Sequence, residues 1–302
     1  MTSAFFKGLL LAAVLVAAGW AASRWLAQPD DPPPPVSLVI GIGTAGDDVV
    51  NRSGLPLRRS QLADSLLYDA SSKQLGRPVQ PVLEQHGTRL VLPPTDTLLF
   101  YDSLGNNDGV YEITLHFHLD VPQQTGTPAR QRDYALAARD TVGQIQQTLR
   151  DADWRRYIPL SSPRVAGRDS YDLPDSWQAG QVQASDPDFL PSIEEWLALN
   201  HTPTWLWFDQ GVFFRLSYYR GNAAGGQQGG LRATVQGERQ ALLPYATDGG
   251  QHWETARTAY AAAVPGMLAE RRAAEGRARE QGIEILEDWI DPTIAGVPAR
   301  GR

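Results

Sequence analysis

Cysteine is absent from the 302-residue chain. That absence excludes disulfides, thiolate zinc sites, a cysteine nucleophile and the lipid-modified cysteine of bacterial lipoproteins. Any membrane anchor must therefore be made by the peptide itself. Lysine is nearly absent as well, with Lys7 and Lys73 the only two. No basic excess exists, because 27 Lys and Arg stand against 34 Asp and Glu, for a net charge of −7. Residues 1–31 hold Lys7, Arg24, Asp30 and Asp31, two charges of each sign, so the remainder also carries −7. Such a balance argues against a nucleic-acid partner, which calls for a basic face. No G-x-S-x-G nucleophile elbow and no repeat of fixed period is present.

Long apolar runs are missing with one exception. Residues 8–27, GLLLAAVLVAAGWAASRWLA, are apolar except for Ser23 and Arg24. At about 1.5 Å per residue they span roughly 30 Å, the thickness of a bilayer's hydrocarbon layer. Lys7 before the run, and Asp30 and Asp31 after it, favour an N-terminus inside and a C-terminus outside. The small residues Gly19, Ala21 and Ser23 also fit a cleaved signal peptide. Two localisations follow: a single-pass inner-membrane protein held through residues 8–27 with its soluble part in the periplasm, or a soluble periplasmic protein after cleavage. Residues 29–35, PDDPPPP, cannot be helical and are expected to extend as a polyproline II spacer of roughly 20 Å.

The rest has the composition of a folded protein, with 42% hydrophobic and 20% charged residues. A first buried strand is expected over residues 36–42, a helix over 57–68, and an alternating strand over 110–121 with Ile113, Leu115 and Phe117 inward and Glu112, His116 and His118 outward. An amphipathic helix is expected over 132–151, with Ala138, Val142, Ile145 and Leu149 on one stripe. Ser192 and Glu195 match a helix-starting capping box. Residues 205–219 read as a hairpin around a three-residue Asp209-Gln210-Gly211 loop, followed by a glycine-rich stretch at 221–230 and a strand at 231–235. A long helix over 252–282 containing Pro265, then a strand at 283–290, completes the list. The sum is an α+β fold: a mixed, mostly antiparallel sheet packed with amphipathic helices, preceded by one transmembrane or signal helix. Residues 36–302 form its globular region, in one unit or in two subdomains split near 174–191.

Gly41-Ile42-Gly43-Thr44-Ala45-Gly46 matches the dinucleotide-binding G-x-G-x-x-G, but Asp47 and Asp48 would repel phosphate and Gly54 and Pro56 interrupt the helix that should follow. A glycine-rich strand exit is the better reading, and no cofactor is expected. His116, His118 and Asp120, spaced i, i+2, i+4 on a strand, share one face and have the chemistry of metal ligands. His-x-His-x-Asp resembles the start of the metallo-β-lactamase motif, with Val121 standing where that motif has its next histidine. The competing reading is a solvated strand face. Ser170 has no histidine near it in sequence, and Glu194 and Glu195 are explained by a helix start. Trp205, Trp207, Phe213 and Tyr219 gather on one hairpin, where they serve either the core or a contact surface.

Residues 153–159 (DWRRYIP), Pro163-Arg164 and 167–171 (GRDSY), with the anchor and spacer, resemble membrane-tethered accessory proteins that accompany type VI secretion lipase effectors. The resemblance implies an immunity or adaptor role with no chemistry of its own. The sequence thus predicts a non-catalytic, periplasm-facing binding protein whose partner is another envelope or secreted protein. The alternative is an envelope hydrolase, metal-assisted through His116, His118 and Asp120.

Overall fold

Proline 35 ends the spacer, and the β-branched run after it has room only for a strand. The computed structural model describes residues 33–104, 109–119, 121, 128–173, 184–219, 229–246 and 253–298. Its strands are β1 (Val36–Ile40), β2 (Arg58–Leu62), β3 (Ser65–Ser71), β4 (Val79–Gln85), β5 (Thr88–Val91), β6 (Thr95–Ser103), β7 (Val110–Phe117), β8 (Arg155–Arg156), β9 (Thr204–Asp209), β10 (Val212–Tyr219) and β11 (Gly230–Gly237). Its helices are α1 (Gly46–Ser53), α2 (Ser72–Leu75), α3 (Pro128–Asp151), α4 (Ile193–Ala198), α5 (Glu238–Leu242) and α6 (Trp253–Glu280). The N-terminal apolar run lies outside the described residues. Among those described, no helix is long and apolar enough to cross a membrane.

All eleven strands join one sheet, ordered β1-β4-β6-β7-β11-β10-β9-β8, with β3 also on β6, β2 on β3 and β5 on β4. Among the described residues β1 and β4 run parallel, and the other strand pairings are antiparallel. The architecture is α+β, as the element pattern predicted. The described residues from Pro35 onward form one compact unit. β7 pairs with β11, so strands from both sides of the 174–191 stretch share the sheet.

Alternation builds the two faces. Ile113, Leu115 and Phe117 of β7, Phe214, Leu216 and Tyr218 of β10, and Leu231, Ala233 and Val235 of β11 are buried in one cluster with Ala138, Val142, Ile145 and Leu149 of α3. Trp154 packs edge-on against Phe214 at 6.1 Å, and Trp196 of α4 lies 4.8 Å from the Tyr218 ring. A second cluster lies around Phe213, on the opposite side of β10: Leu160, Leu242, Tyr260, Val264, Met267 and Ile294. α5 and α6 supply most of it.

Two expected elements differ. Residues 57–68 form no helix but the β2–β3 hairpin, because Tyr68 and Ala70 of β3 go inward while the strand pairs with β6 from Ser65↔Ser103 to Ser71↔Thr97. Tyr68 stacks flat on Phe100 at 4.6 Å. Burial against a neighbouring strand overrides a locally ambiguous leucine pattern. Residues 283–290 form no strand. α6 ends in a Schellman turn, with Gly282 at φ +78° and Ile283 N–H donating to the Ala278 carbonyl at 3.0 Å. Residues 283–290 contribute an isolated Ile285↔Val165 bridge instead.

The β9–β10 turn is tighter than a three-residue loop. Asp209 pairs with Val212, so Gln210 and Gly211 alone make the turn, at φ +40° and +86°. Positive φ at both positions matches the right-handed twist of the flanking strands. The capping box at Ser192 is formed: its hydroxyl accepts from Glu195 N–H at 3.3 Å, and Ser192 N–H donates to the Glu195 carboxylate at 2.8 Å. The glycine-rich stretch lies outside the described residues up to position 228.

Candidate functional site

The glycine loop after β1 is packed against protein, not open to a phosphate. Gly43 N–H donates to the Val110 carbonyl and Val110 N–H to the Thr44 carbonyl, each at 2.8 Å. The free N-terminus of α1 is filled by a carboxylate, Asp102 Oδ2, which accepts from Gly46 N–H at 2.7 Å. The position a pyrophosphate would take is thus already held by a protein anion. α1 stops after eight residues at Gly54, which takes φ +63° as its C-cap. The motif is a strand exit.

β7 ends at Phe117, so His116 and His118 do not continue one regular face. His118 Nδ1 lies 2.8 Å from Asp96 Oδ1, an exposed pair. His116 sits opposite Arg232 of β11. Partial burial, with the Arg232 charge adding to it, holds its imidazole below the usual range. A neighbouring cation also opposes a second cation at that position. Asp120 lies outside the described residues, and among those described no three acidic or histidine side chains gather as a metal-binding group.

The residues that carry the family resemblance have structural partners. Arg156 pairs with Asp186 at 3.4 Å and donates to the Val165 carbonyl at 2.7 Å. Arg164 grips Glu275 of α6 through two guanidinium hydrogen bonds, at 2.6 and 2.8 Å. Tyr171 accepts from the buried Trp205 indole N–H at 2.7 Å and donates to the Phe189 carbonyl at 3.0 Å. Ser170 donates to the Gly167 carbonyl and accepts from Asp186 N–H, at 2.7 and 2.8 Å. The hydroxyl is thus built into the turn at Gly167–Ser170. Glu195 is committed to its cap and to Arg168 at 3.3 Å, and the Ser192 backbone amide holds its carboxyl below the ordinary range.

The aromatic hairpin divides unequally. Trp205 and Trp207 are 0% and 2% exposed and take the core side of the two readings open to them. Trp205 stacks 6.1 Å from Trp196 of α4, and Trp207 packs edge-on against Phe214 at 5.7 Å. Phe213 is half-buried against Tyr157 and Phe208, at 5.1 and 4.9 Å. Tyr219, 42% exposed, alone remains available.

Tyr219 stands at a recess that the sequence did not reveal. The α6 cluster covers the outer side of β10 around Phe213 but leaves Arg215 and Tyr219 exposed, along with Arg232 and His116 on the adjoining strands. There Glu112, Arg215, Ser217, Tyr219, Arg232, Thr234 and Gln236 line a hollow of about 280 Å³. The sequence pattern marked β10 and β11 as strands. That β11 inserts between β7 and β10, bringing Glu112 beside them, was not legible in it. Compared with protein-family models, curated proteins and solved structures, the chain matches none of them.

Proposed function

We propose that this chain is a non-catalytic, membrane-tethered binding protein facing the periplasm, of the immunity or adaptor kind that accompanies type VI secretion lipase effectors, and that it meets its protein partner on the outer sheet face around Tyr219. One observation carries the reading: among the described residues, a polar hollow has at its margin Tyr219, the one aromatic side chain of those residues that is exposed. The groups that could have done chemistry support it too, since Ser170, Glu195 and His118 each have a local structural partner.

The test is site-specific photo-crosslinking in the full-length chain in intact cells. A crosslinker replacing Tyr219 is expected to trap one discrete envelope or secreted protein, whereas the same group at Val91, 49% exposed on β5, should not. Absence of a discrete adduct at position 219, or the same adducts from both positions, overturns the assigned surface. An export-dependent reporter fused after Arg302 should be active, and an inactive fusion refutes the periplasmic orientation.

A further inference from the structure

Arg156, Arg164 and Arg271, all largely shielded from solvent, are each paired with a carboxylate, that of Asp186, Glu275 and Asp291 respectively. The two arginines of the recess, both more exposed, are not. Neither Arg215 nor Arg232 makes a hydrogen bond or ion pair with any described residue. Their positions make this more telling. Arg215 lies opposite Thr234 and Arg232 opposite Ser217, so the two guanidiniums leave diagonal sites on neighbouring strands of one face. Such sites are about 7–8 Å apart at the backbone, within reach of long side chains, and like charges there repel. Desolvation and the Arg232 charge both disfavour the charged form of Arg215, with Tyr219 acting the other way. Thr114, 3% exposed and paired with Thr234 of the hollow's wall, has a buried hydroxyl with no hydrogen-bond partner among the described residues.

From this arrangement we infer that the recess binds a carboxylate, presented by an acidic side chain of a peptide segment, between Arg215 and Arg232. Charge balance selects the carboxylate. Two positive charges face one negative charge, that of Glu112, whose Oε2 accepts from Gln236 at 2.7 Å and from Gln240 of α5 at 3.5 Å. A monoanion brings the hollow to neutrality, whereas a phosphate dianion would overshoot beside Glu112. Planar guanidiniums match the two oxygens of a carboxylate, and Ser217, Thr234 and Tyr219 add hydroxyls along the same wall. At about 280 Å³ the hollow is at the small end of ligand sites, which suits one side chain rather than a large cofactor. That the carboxylate is borne by a peptide rests on the binding-protein reading; the site itself does not.

The experiment uses full-length protein in detergent and small probes at matched ionic strength: N-acetylglutamate amide, its neutral glutamine counterpart, and inorganic phosphate. Equilibrium titration followed by saturation-transfer NMR should show one saturable site for the glutamate probe and none for the glutamine probe. Arg215→Gln and Arg232→Gln should each weaken binding about tenfold or more, the effect of losing a hydrogen bond to a charged group. Both positions are exposed, so thermal unfolding should be unchanged, and Thr234→Val, which keeps both charges, should weaken binding by a smaller factor. Equal binding of the glutamine probe, retention of affinity in both arginine variants, or tighter binding of phosphate each overturns the carboxylate assignment. A positive titration with no crosslink at Tyr219 leaves the site standing and removes the partner reading; a crosslink with no titration does the reverse.

Discussion

Replacing Arg271 by Met tests what ties the C-terminal helix to the rest of the fold. Arg271, 3% exposed on α6, donates to the carbonyls of Ser162, Ile158 and Pro159 at 3.0, 3.3 and 3.0 Å and to Asp291 Oδ2 at 2.6 Å. One guanidinium thus satisfies three main-chain acceptors in the crossover after β8 and a carboxylate beyond α6. Each hydrogen bond to a charged group contributes about 1.5–3 kcal/mol, but the four share a donor, and Met keeps the aliphatic packing, so they do not add. Removing one partner of a buried ion pair costs about 3–5 kcal/mol, and that is the expected loss for Arg271→Met. In a domain of this size it lowers the melting temperature by roughly 10 °C. Denaturant titration measures it against Arg257→Ala, an exposed i,i+3 partner of Glu254 on the same helix, which should lose under about 0.5 kcal/mol. Because Asp291 is left unpaired in the single variant, adding Asp291→Asn should recover about 1–2 kcal/mol of the summed losses. A loss below about 1 kcal/mol for Arg271→Met, or strict additivity with Asp291→Asn, would refute the linchpin role.

Three further outcomes are expected. Phe117→Ala, at a 4% exposed core position, should cost about 3–5 kcal/mol, and His116→Ala on the outer face under about 1 kcal/mol; equal losses in chemical denaturation would disprove the face assignment of β7. Burial pulls the Glu275 carboxyl up, but hydrogen bonds and charge from Arg164, with Arg271 adding, outweigh it and set the folded pKa below the ordinary 4.5. Its contribution is therefore complete above about pH 4.5 and lost as pH falls through that lower folded value, so Glu275→Gln should lose the corresponding part of the acid limb in stability measured against pH, and an unchanged limb would contradict the linkage. Gly109→Ala should destabilise by more than about 2 kcal/mol, because it combines φ +65° with a Cβ only 2.6 Å from the Gly43 backbone, whereas Gly54→Ala, at φ +63° in open space, should lose about 1 kcal/mol; similar melting temperatures for the two would show that the Gly43 contact imposes no constraint.

Local periodicity and capping chemistry were enough to establish several elements before any tertiary contact was known. The stripe from Ala138 to Leu149 made α3 legible because a 3.6-residue period admits only a helix with one buried face, and Ser192 with Glu195 fixed where α4 starts. The alternation in β7 and around the Gln210-Gly211 turn likewise identified strands and their inward residues. What the sequence left open was partnership. Residues 57–68 are helix or strand by local pattern, and only pairing with β6 makes them β2 and β3. Ile285 has the side chain for a strand but bonds at a single bridge. Aromatics at Trp205 and Trp207 look the same in sequence whether they face solvent or the core, and burial decided for the core. The recess was the least legible of all. Arg215 and Arg232 sit on consecutive strands, but Glu112 is far from both in sequence and joins them only because β11 enters the sheet between β7 and β10, a consequence of long-range hydrogen-bond register that no local propensity encodes.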